Sequence, residues 1–402
     1  MKKLLYITVR TPFGKGEEFI LKELETLEDL GIDLLIVPRN PPREIFHPDA
    51  VRLLPRTLRI GFLNLRILAG MLAGFIQRPR TVFDITRHIV RHSRNWHIIA
   101  KNLAVIPKAL YLSRVLGRER FGHIHVHWAG TTSTMAYVLH RLTGIPWSMS
   151  VHRWDIREDN MLRLKVESAG FVRCVSEHGR DFLRRVVGNQ YDQKLKVIHM
   201  GVDCSDVPAP ALPATQNFVI VTPANLVPVK GHKYLIEACA ILLAKGVRQF
   251  RCCFYGEGPL RRELIRYVRE KGLKDFIEIP GQIPHAQLID LYRTQRSHIV
   301  VLASINTDDG EHEGIPVSLM EAMAHAIPVV ASATGGIPEL LGDGSGILVD
   351  EKNPEQLADA MLRLMRDAAY YRSLGERGQA KVMGDFEITK CCQDLVRLFG
   401  LG

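Results

Sequence analysis

The 402 residues contain no apolar run of the ~18–20 positions that a membrane-spanning helix requires. The nearest approach, Ile60 to Ile76, is broken by Asn64 and Arg66, so the chain is not expected to cross a bilayer. The N-terminal Met1-Lys2-Lys3 and the apolar Leu4 to Val9 are too short for a leader, and Arg10 follows with no small-residue cleavage site. This stretch is predicted to be a first buried strand. Cysteine is sparse: seven, an odd number, with two vicinal pairs (Cys252-Cys253 and Cys391-Cys392) and no C-x-x-C. That excludes a zinc ribbon and a disulfide framework and points to reduced thiols in a cytoplasmic protein. Internal repeats and low-complexity tracts are also missing. Length alone predicts two or three domains, each large enough to bury a core without covalent staples.

Charge is present, and it is uneven. Lys and Arg number 53 against 43 Asp and Glu, a formal +10. Between Arg52 and Arg120 there are fourteen Lys/Arg and only two acids, Asp84 and Glu119, so this one segment holds the whole excess. An anionic membrane surface, nucleic acid or a polyanionic small substrate would each suit such a field. No RNA- or DNA-binding module is recognisable in the segment, so no nucleic-acid partner is expected. The apolar Ile60–Ile76 stretch inside it suits an anionic interface, and peripheral attachment to the inner membrane face through residues 52–120 is the expectation.

Elsewhere the chain alternates short apolar runs with helical periodicity. Leu4–Val9 leads through a glycine-containing loop into Glu17–Leu30, where Ile20, Leu24 and Leu27 have helical spacing, and Leu34–Val37 follows. The rhythm returns at His123–His127, Thr131–Leu142 and Trp147–Val151, and again at Phe171–Val175 and Glu177–Val186. Residues 206–217, DVPAPALPATQN, carry three prolines in six positions and read as an interdomain linker. The alternation then restarts at Phe218–Thr222, His232–Lys245, Phe250–Tyr255 and Pro259–Lys271, with four further short strands up to Val349. Continuous apolar strands imply parallel sheets covered on both faces. The predicted architecture is α/β: two Rossmann-like doubly wound domains, residues 1–205 and 218–385, facing a cleft that would receive a ligand. Arg52–Arg120 departs from the rhythm and reads as helical.

The densest chemistry lies between Asp308 and Glu339. Glu313-Gly314-Ile315 runs to Pro316, a residue suited to the first position of a helix, and Val317, Met320 and Ala324 continue it to about His325. Glu313 thus sits in a loop before the helix and Glu321 within it, about 10–12 Å apart from the rise per residue. That is the span from sugar ring to ribose in an extended sugar nucleotide. The unpaired N–H groups near Val317 and Ser318 would offer an anion site between the two carboxylates.

This Glu313-x7-Glu321 pair, with its flank PVVASATGGIPELL, resembles the signature of the retaining GT-B glycosyltransferases of family 4, also called glycosyl transferases group 1, and the chain looks similar to exopolysaccharide and colanic-acid-type biosynthesis members. The resemblance implies transfer of a sugar from a nucleotide-diphosphate donor to a hydroxyl of a glycan or lipid-linked saccharide, with no cofactor and no metal. It assigns residues 1–205 to the acceptor side and 218–385 to the donor, with a final helix in 386–402 crossing back onto the first domain. Asn225 to Gly231 resembles the family's R-L-x-x-x-K-G element; Lys230 takes the diphosphate-clamping position, while Asn225 replaces the usual arginine. Gly256 lies in a G-x-G-P turn, and Ile283 in the loop whose main chain meets the base. The donor set it implies is Asn225, Lys230, Gly231, Gly256, Ile283, Glu313, Gly314, Ile315, Pro316, Val317, Ser318 and Glu321. Glu313 would orient the sugar hydroxyls and Glu321 the ribose.

In the first half, His152 follows a strand and resembles the family's histidine that approaches the transferred sugar, so His152, Glu313 and Lys230 form the expected catalytic group. Gly14 and Gly16 fall in the first β-α loop, where the family brings backbone close to donor or acceptor. His123-x-His125-x-His127 places three imidazoles on one strand face, a pattern that metals use. No carboxylate of matching spacing follows, and the family carries histidines here too, so no metal site is expected. D-x-D, the divalent-metal clamp of the other major transferase fold, occurs nowhere. A nucleotide-sugar epimerase on the same architecture, or a non-catalytic nucleotide-sugar-binding relative given Asn225, are the alternative readings.

Overall fold

The computed structural model describes residues 3–12, 17–41, 44–45, 48–61, 64–116, 121–205, 217–308 and 310–401. Gly14, Gly16 and residues 206–216 of the expected linker lie outside the described residues. Two compact units divide the chain, Met1–Met200 with Ile388–Gly402, and Gly201–Glu387.

The first unit is a parallel sheet of β1 (Lys3–Thr8), β2 (Leu34–Pro38), β3 (Phe121–His127), β4 (Trp147–Val151), β5 (Phe171–Cys174) and β6 (Leu195–Val197), in the order β2-β1-β3-β4-β5-β6. The edge strand β6 was not predicted; its three residues include exposed Lys196 and give no apolar run. Helices α1 (Glu18–Asp29), α2 (Leu65–Gln77), α3 (Pro79–His92), α4 (Trp96–Leu103) and α5 (Ile106–Leu116) precede β3. Then come α6 (Thr131–Thr143), α7 (Arg153–Glu158), α8 (Leu162–Ser168) and α9 (Glu177–Val187). Alternation along β1 explains the two layers: Leu4 and Tyr6 pack with Ile20, Leu24 and Leu27 of α1, while Leu5 and Ile7 join Ala109, Leu112 and Met135 on the other face. Because Tyr6 is in register with His125, all three histidines of β3 lie on the α1 face.

The second unit pairs β7 (Phe218–Pro223), β8 (Phe250–Tyr255), β9 (Ile277–Glu278), β10 (Ile299–Leu302), β11 (Val329–Ser332) and β12 (Ile347–Val349) in the order β12-β11-β10-β7-β8-β9, all parallel. Its helices are α10 (His232–Ala244), α11 (Arg261–Glu270), α12 (His285–Arg293), α13 (Val317–Ala324), α14 (Ile337–Leu341), α15 (Pro354–Arg366) and α16 (Ala368–Asp385). This is the doubly wound order, with the strand sequence reversing between β7 and β10; in the first unit the reversal falls between β1 and β3. The last helix, α17 (Ile388–Phe399), returns to the first unit. Its Ile388, Cys391, Cys392, Leu395 and Phe399 form one apolar stripe buried with Leu4, Tyr6 and the α1 residues. Each large side chain fully buried there contributes about 1.5–3 kcal/mol. The vicinal cysteines are therefore core residues, and none of the seven cysteines forms a disulfide.

The basic segment is helical as expected. Gly70 and Gly74 let α2 pack closely on Leu110 and Tyr111 of α5. The opposite face of α2 leaves Leu65 84%, Leu72 61% and Ile76 79% exposed, with Leu68 and Phe75 beside them. Among the described residues no helix is long and apolar enough to cross a membrane.

Candidate functional site

In the second unit the loops after β7 and β10 leave the sheet on either side of the reversal point, and each delivers one of the expected charges. Lys230 Nζ lies 2.5 Å from Glu313 Oε2, and Ser304 Oγ donates to the same oxygen at 3.1 Å. Both side chains are mostly buried, at 19% and 14% exposure, so the pair is screened far less than a surface ion pair. The sequence reading gave these two residues separate tasks; the fold brings them into contact. Lys230 ends a short 3₁₀ turn, Pro228–Lys230, and Ile305 N–H donates to Val229 O at 2.8 Å, tying the two loops together. Gly231 follows at φ +60°, where a Cβ would strike the Ala303 carbonyl.

The Glu313 loop is braced from behind. Gly336 N–H donates to Glu313 O at 3.3 Å, and Ile315 packs into the core beside Val317. Pro316 is the N-cap of α13, one position earlier than predicted, because its ψ of 121° is extended and helical geometry begins at Val317. The Pro316 carbonyl accepts from Leu319 and Met320, whereas the N–H groups of Val317 and Ser318 have no intrahelical acceptor. Gly314 occupies the loop between Glu313 and Ile315. Glu321, one helical stretch on, receives the His285 imidazole at 2.7 Å. Gly256 lies beside the Asn225 loop, where Leu226 N–H donates to Glu257 O at 2.9 Å. Asn225 itself is exposed, and Ile283 packs half-buried against the apolar cluster around α13.

In the first unit His152 caps α7 at the C-terminal end of β4, and its N–H donates to Asp155 Oδ2 at 3.0 Å. Its Nε2 lies 2.7 Å from His127 Nε2, and the Trp128 ring lies tilted against the His152 ring at 4.4 Å between centroids. Burial holds the His152 imidazole down at about 3 and raises the Asp155 carboxyl to about 7. The other two histidines of β3 point to serines on β4: His123 to Ser148 at 2.7 Å, and His125 to Ser148 and Ser150 at 2.8 and 3.0 Å. Those bonds account for both nitrogens of His125 and for Nε2 of His123. Among the described residues no cluster of His, Cys, Asp and Glu is arranged to hold a metal ion.

Three features here were not read from the sequence. Glu17, predicted only as a helix start, is buried; Oε2 accepts from the N–H groups of Arg10 and Thr11, and Oε1 from the Trp128 indole at 2.8 Å. Trp128 takes φ +79°, a conformation that costs a bulky residue energy and that clusters at functional sites. A cavity lies beside it, lined by Arg39, Lys101, Trp128, Thr131, Asp155 and Glu158, with the Arg39 guanidinium donating to Thr131 Oγ1. Two buried lysines hold its rim. Lys108 donates to the carbonyls of Pro38, Arg39 and Ile60, and Lys165 to those of Ala129 and Gly130, and burial lowers both ammonium groups to about 7. An aromatic residue directly after an alternating-histidine strand was the one available signal for Trp128.

Residues 16–206 match the family model described as Glycosyltransferase Family 4, and residues 207–381 the one described as Glycosyl transferases group 1. The amylovoran biosynthesis glycosyltransferase AmsK of Erwinia amylovora is 35% identical over 418 residues, covering 96% of each chain. The putative colanic acid biosynthesis glycosyltransferase WcaL of Escherichia coli K12 is 37% identical over 213 residues, and the match spans about half the length of that relative, 51% of each chain. Among solved structures, Anabaena HepE in complex with UDP-glucose superposes with a TM-score of 0.71 at 17% identity over 99% of both chains. A glycosyltransferase from Rickettsia africae gives 0.70 at 17% identity over 99% of this chain and 98% of its own. These two likenesses speak to the fold.

Proposed function

Because this chain belongs to the family 4 glycosyltransferases, with a C-terminal half of the glycosyl transferases group 1 type, we propose that it moves a sugar from a nucleotide-diphosphate donor to a hydroxyl of a glycan or lipid-linked saccharide in cell-surface polysaccharide biosynthesis. The observation that carries this reading is the Lys230–Glu313 pair at the reversal point of the donor-side sheet, in the loop that leads to the Val317 and Ser318 amides at the start of α13. Expelling a diphosphate while the anomeric carbon gains positive charge demands charge stabilisation of the leaving group. Lys230 and the α13 amides supply it, with no metal in the scheme. Glu313, held by Lys230 and Ser304, orients the sugar hydroxyls; Glu321 takes the ribose, and His152 the far side of the sugar. Reaction then runs with retention, the acceptor attacking on the face that the diphosphate leaves and the departing phosphate taking its proton. HepE, a structural neighbour, is complexed with UDP-glucose, which makes a uridine donor the first to try.

The acceptor is met at an anionic membrane face. From Asn64 to Leu103 seven Lys/Arg accompany one acid, Asp84, and the exposed Leu65, Leu72 and Ile76 of α2 lie within that basic field. Thermal-shift screening against UDP-, GDP- and ADP-sugars identifies the donor, and turnover assays follow with the one that stabilises. Glu313→Ala is expected to abolish turnover; undiminished turnover would remove the assignment.

A further inference from the structure

A continuous line of side-chain hydrogen bonds runs through the first unit and ends on His152. Arg173 and Glu23 form an ion pair at 2.5 Å, each 1% exposed, and Arg173 also donates to the carbonyls of Ile198 and His199. The Tyr6 hydroxyl donates to Glu23 Oε1 at 2.6 Å and lies 3.1 Å from His127 Nδ1. His127 Nε2 then meets His152 Nε2 at 2.7 Å. Tyr6, Glu23, His127 and Arg173 sit on β1, α1, β3 and β5, all on the α1 face of the sheet. They are almost fully buried, whereas His152 is partly buried at the end of its strand.

The direction of every proton in this line follows from the first link. A carboxylate paired with a guanidinium only accepts, so Tyr6 must spend its single proton on Glu23. The Tyr6 oxygen is then the acceptor for His127, which must carry its proton on Nδ1. A neutral His127 has only a lone pair left at Nε2, so the bond to His152 requires the proton of His152 on Nε2. Burial keeps both imidazoles neutral, His152 at about 3 and His127 well below its ordinary value. We propose that Arg173, Glu23, Tyr6 and His127 are positioning residues that hold His152 in a single tautomer, with the proton on Nε2 and the acceptor lone pair on Nδ1. An acceptor nitrogen is the form that takes a hydrogen bond from a sugar hydroxyl. Only this last step rests on the transfer reading; the tautomer does not.

The test is a long-range proton–nitrogen NMR spectrum of protein labelled with ¹⁵N at histidine, with the His152 signals assigned by their loss in His152→Asn. In the wild type Nε2 should give the protonated and Nδ1 the unprotonated signature; the reverse would overturn the proposal outright. Tyr6→Phe keeps the ring and removes one oxygen, leaving His127 Nδ1–H without its acceptor. His127 and His152 should then populate both polarities, giving mixed signatures at His152, and kcat should fall roughly 10–100-fold, as when a partner one shell out is lost. A His152 signature unchanged in Tyr6→Phe overturns the relay whatever happens to activity. Should the wild type turn over no nucleotide sugar while the Tyr6→Phe spectrum shifts as stated, the relay stands and the transfer reading falls.

Discussion

Gly335 lies at φ +57° with its α-carbon against the Glu313 carbonyl, so tightly that an added Cβ would overlap that oxygen. Gly335→Ala therefore meets two obstacles, left-handed strain of about 1–2 kcal/mol and displacement of the Glu313 loop. Shifting a catalytic group by about 1 Å can cost on the order of 10²-fold, so turnover should fall by about that factor while thermal melting shows a drop of only a few degrees. Wild-type turnover in this variant would contradict the role given to the loop. At this scale Glu313, Glu321, Lys230 and the glycines could be singled out from sequence because they fall in short stretches with recognisable spacing. The partners of His152 were not. Tyr6 and Glu23 are 17 residues apart, and Glu23 and Arg173 are 150 apart. A tyrosine in a strand, a glutamate in a helix and an arginine in a strand each read as ordinary until the sheet places them side by side.

Helix α2 has two apolar faces, one closed by α5 through Gly70 and Gly74 and the other open. Sequence periodicity registered the hydrophobicity but not its division between core and surface, since that depends on which side α5 covers. The open face predicts that the full-length protein floats with vesicles containing phosphatidylglycerol and much less with phosphatidylcholine alone. Leu72→Asp, at an exposed position, should weaken flotation without lowering the melting temperature. Equal binding to both vesicles, or to neither, would remove the membrane role. At the same scale α17 buries its apolar stripe in the first unit, with the Phe399 ring centroid 5.1 Å from that of His123.

Over the whole molecule, the imidazoles whose protonation is depressed most strongly divide unequally between the units. His123, His125, His127 and His152 lie in the first, and His232 and His298 in the second, all with protonation pushed below the ordinary 6.5, to about 4 for His123, His232 and His298. An unfolded chain takes up these protons as pH falls through about 6.5, and the folded one only near 4 or below, so stability present above 6.5 is lost between 6.5 and 4. Asp155, raised to about 7, acts in the opposite sense in the same window, but it is one group against four. The first unit should therefore unfold at higher pH than the second. All four tryptophans, Trp96, Trp128, Trp147 and Trp154, are in the first unit, so the acid transition followed by tryptophan fluorescence should lie above the one followed by far-UV circular dichroism. Coincident transitions would refute the inequality. Sequence periodicity by itself determined the two doubly wound sheets, and the resemblance of the Glu313–Glu321 stretch determined the family, because both are local patterns. Tertiary structure alone decided that Lys230 and Glu313 touch, that α2 leaves an apolar face open, and that Tyr6, Glu23 and Arg173 line up behind His152, since strand order and register set those distances.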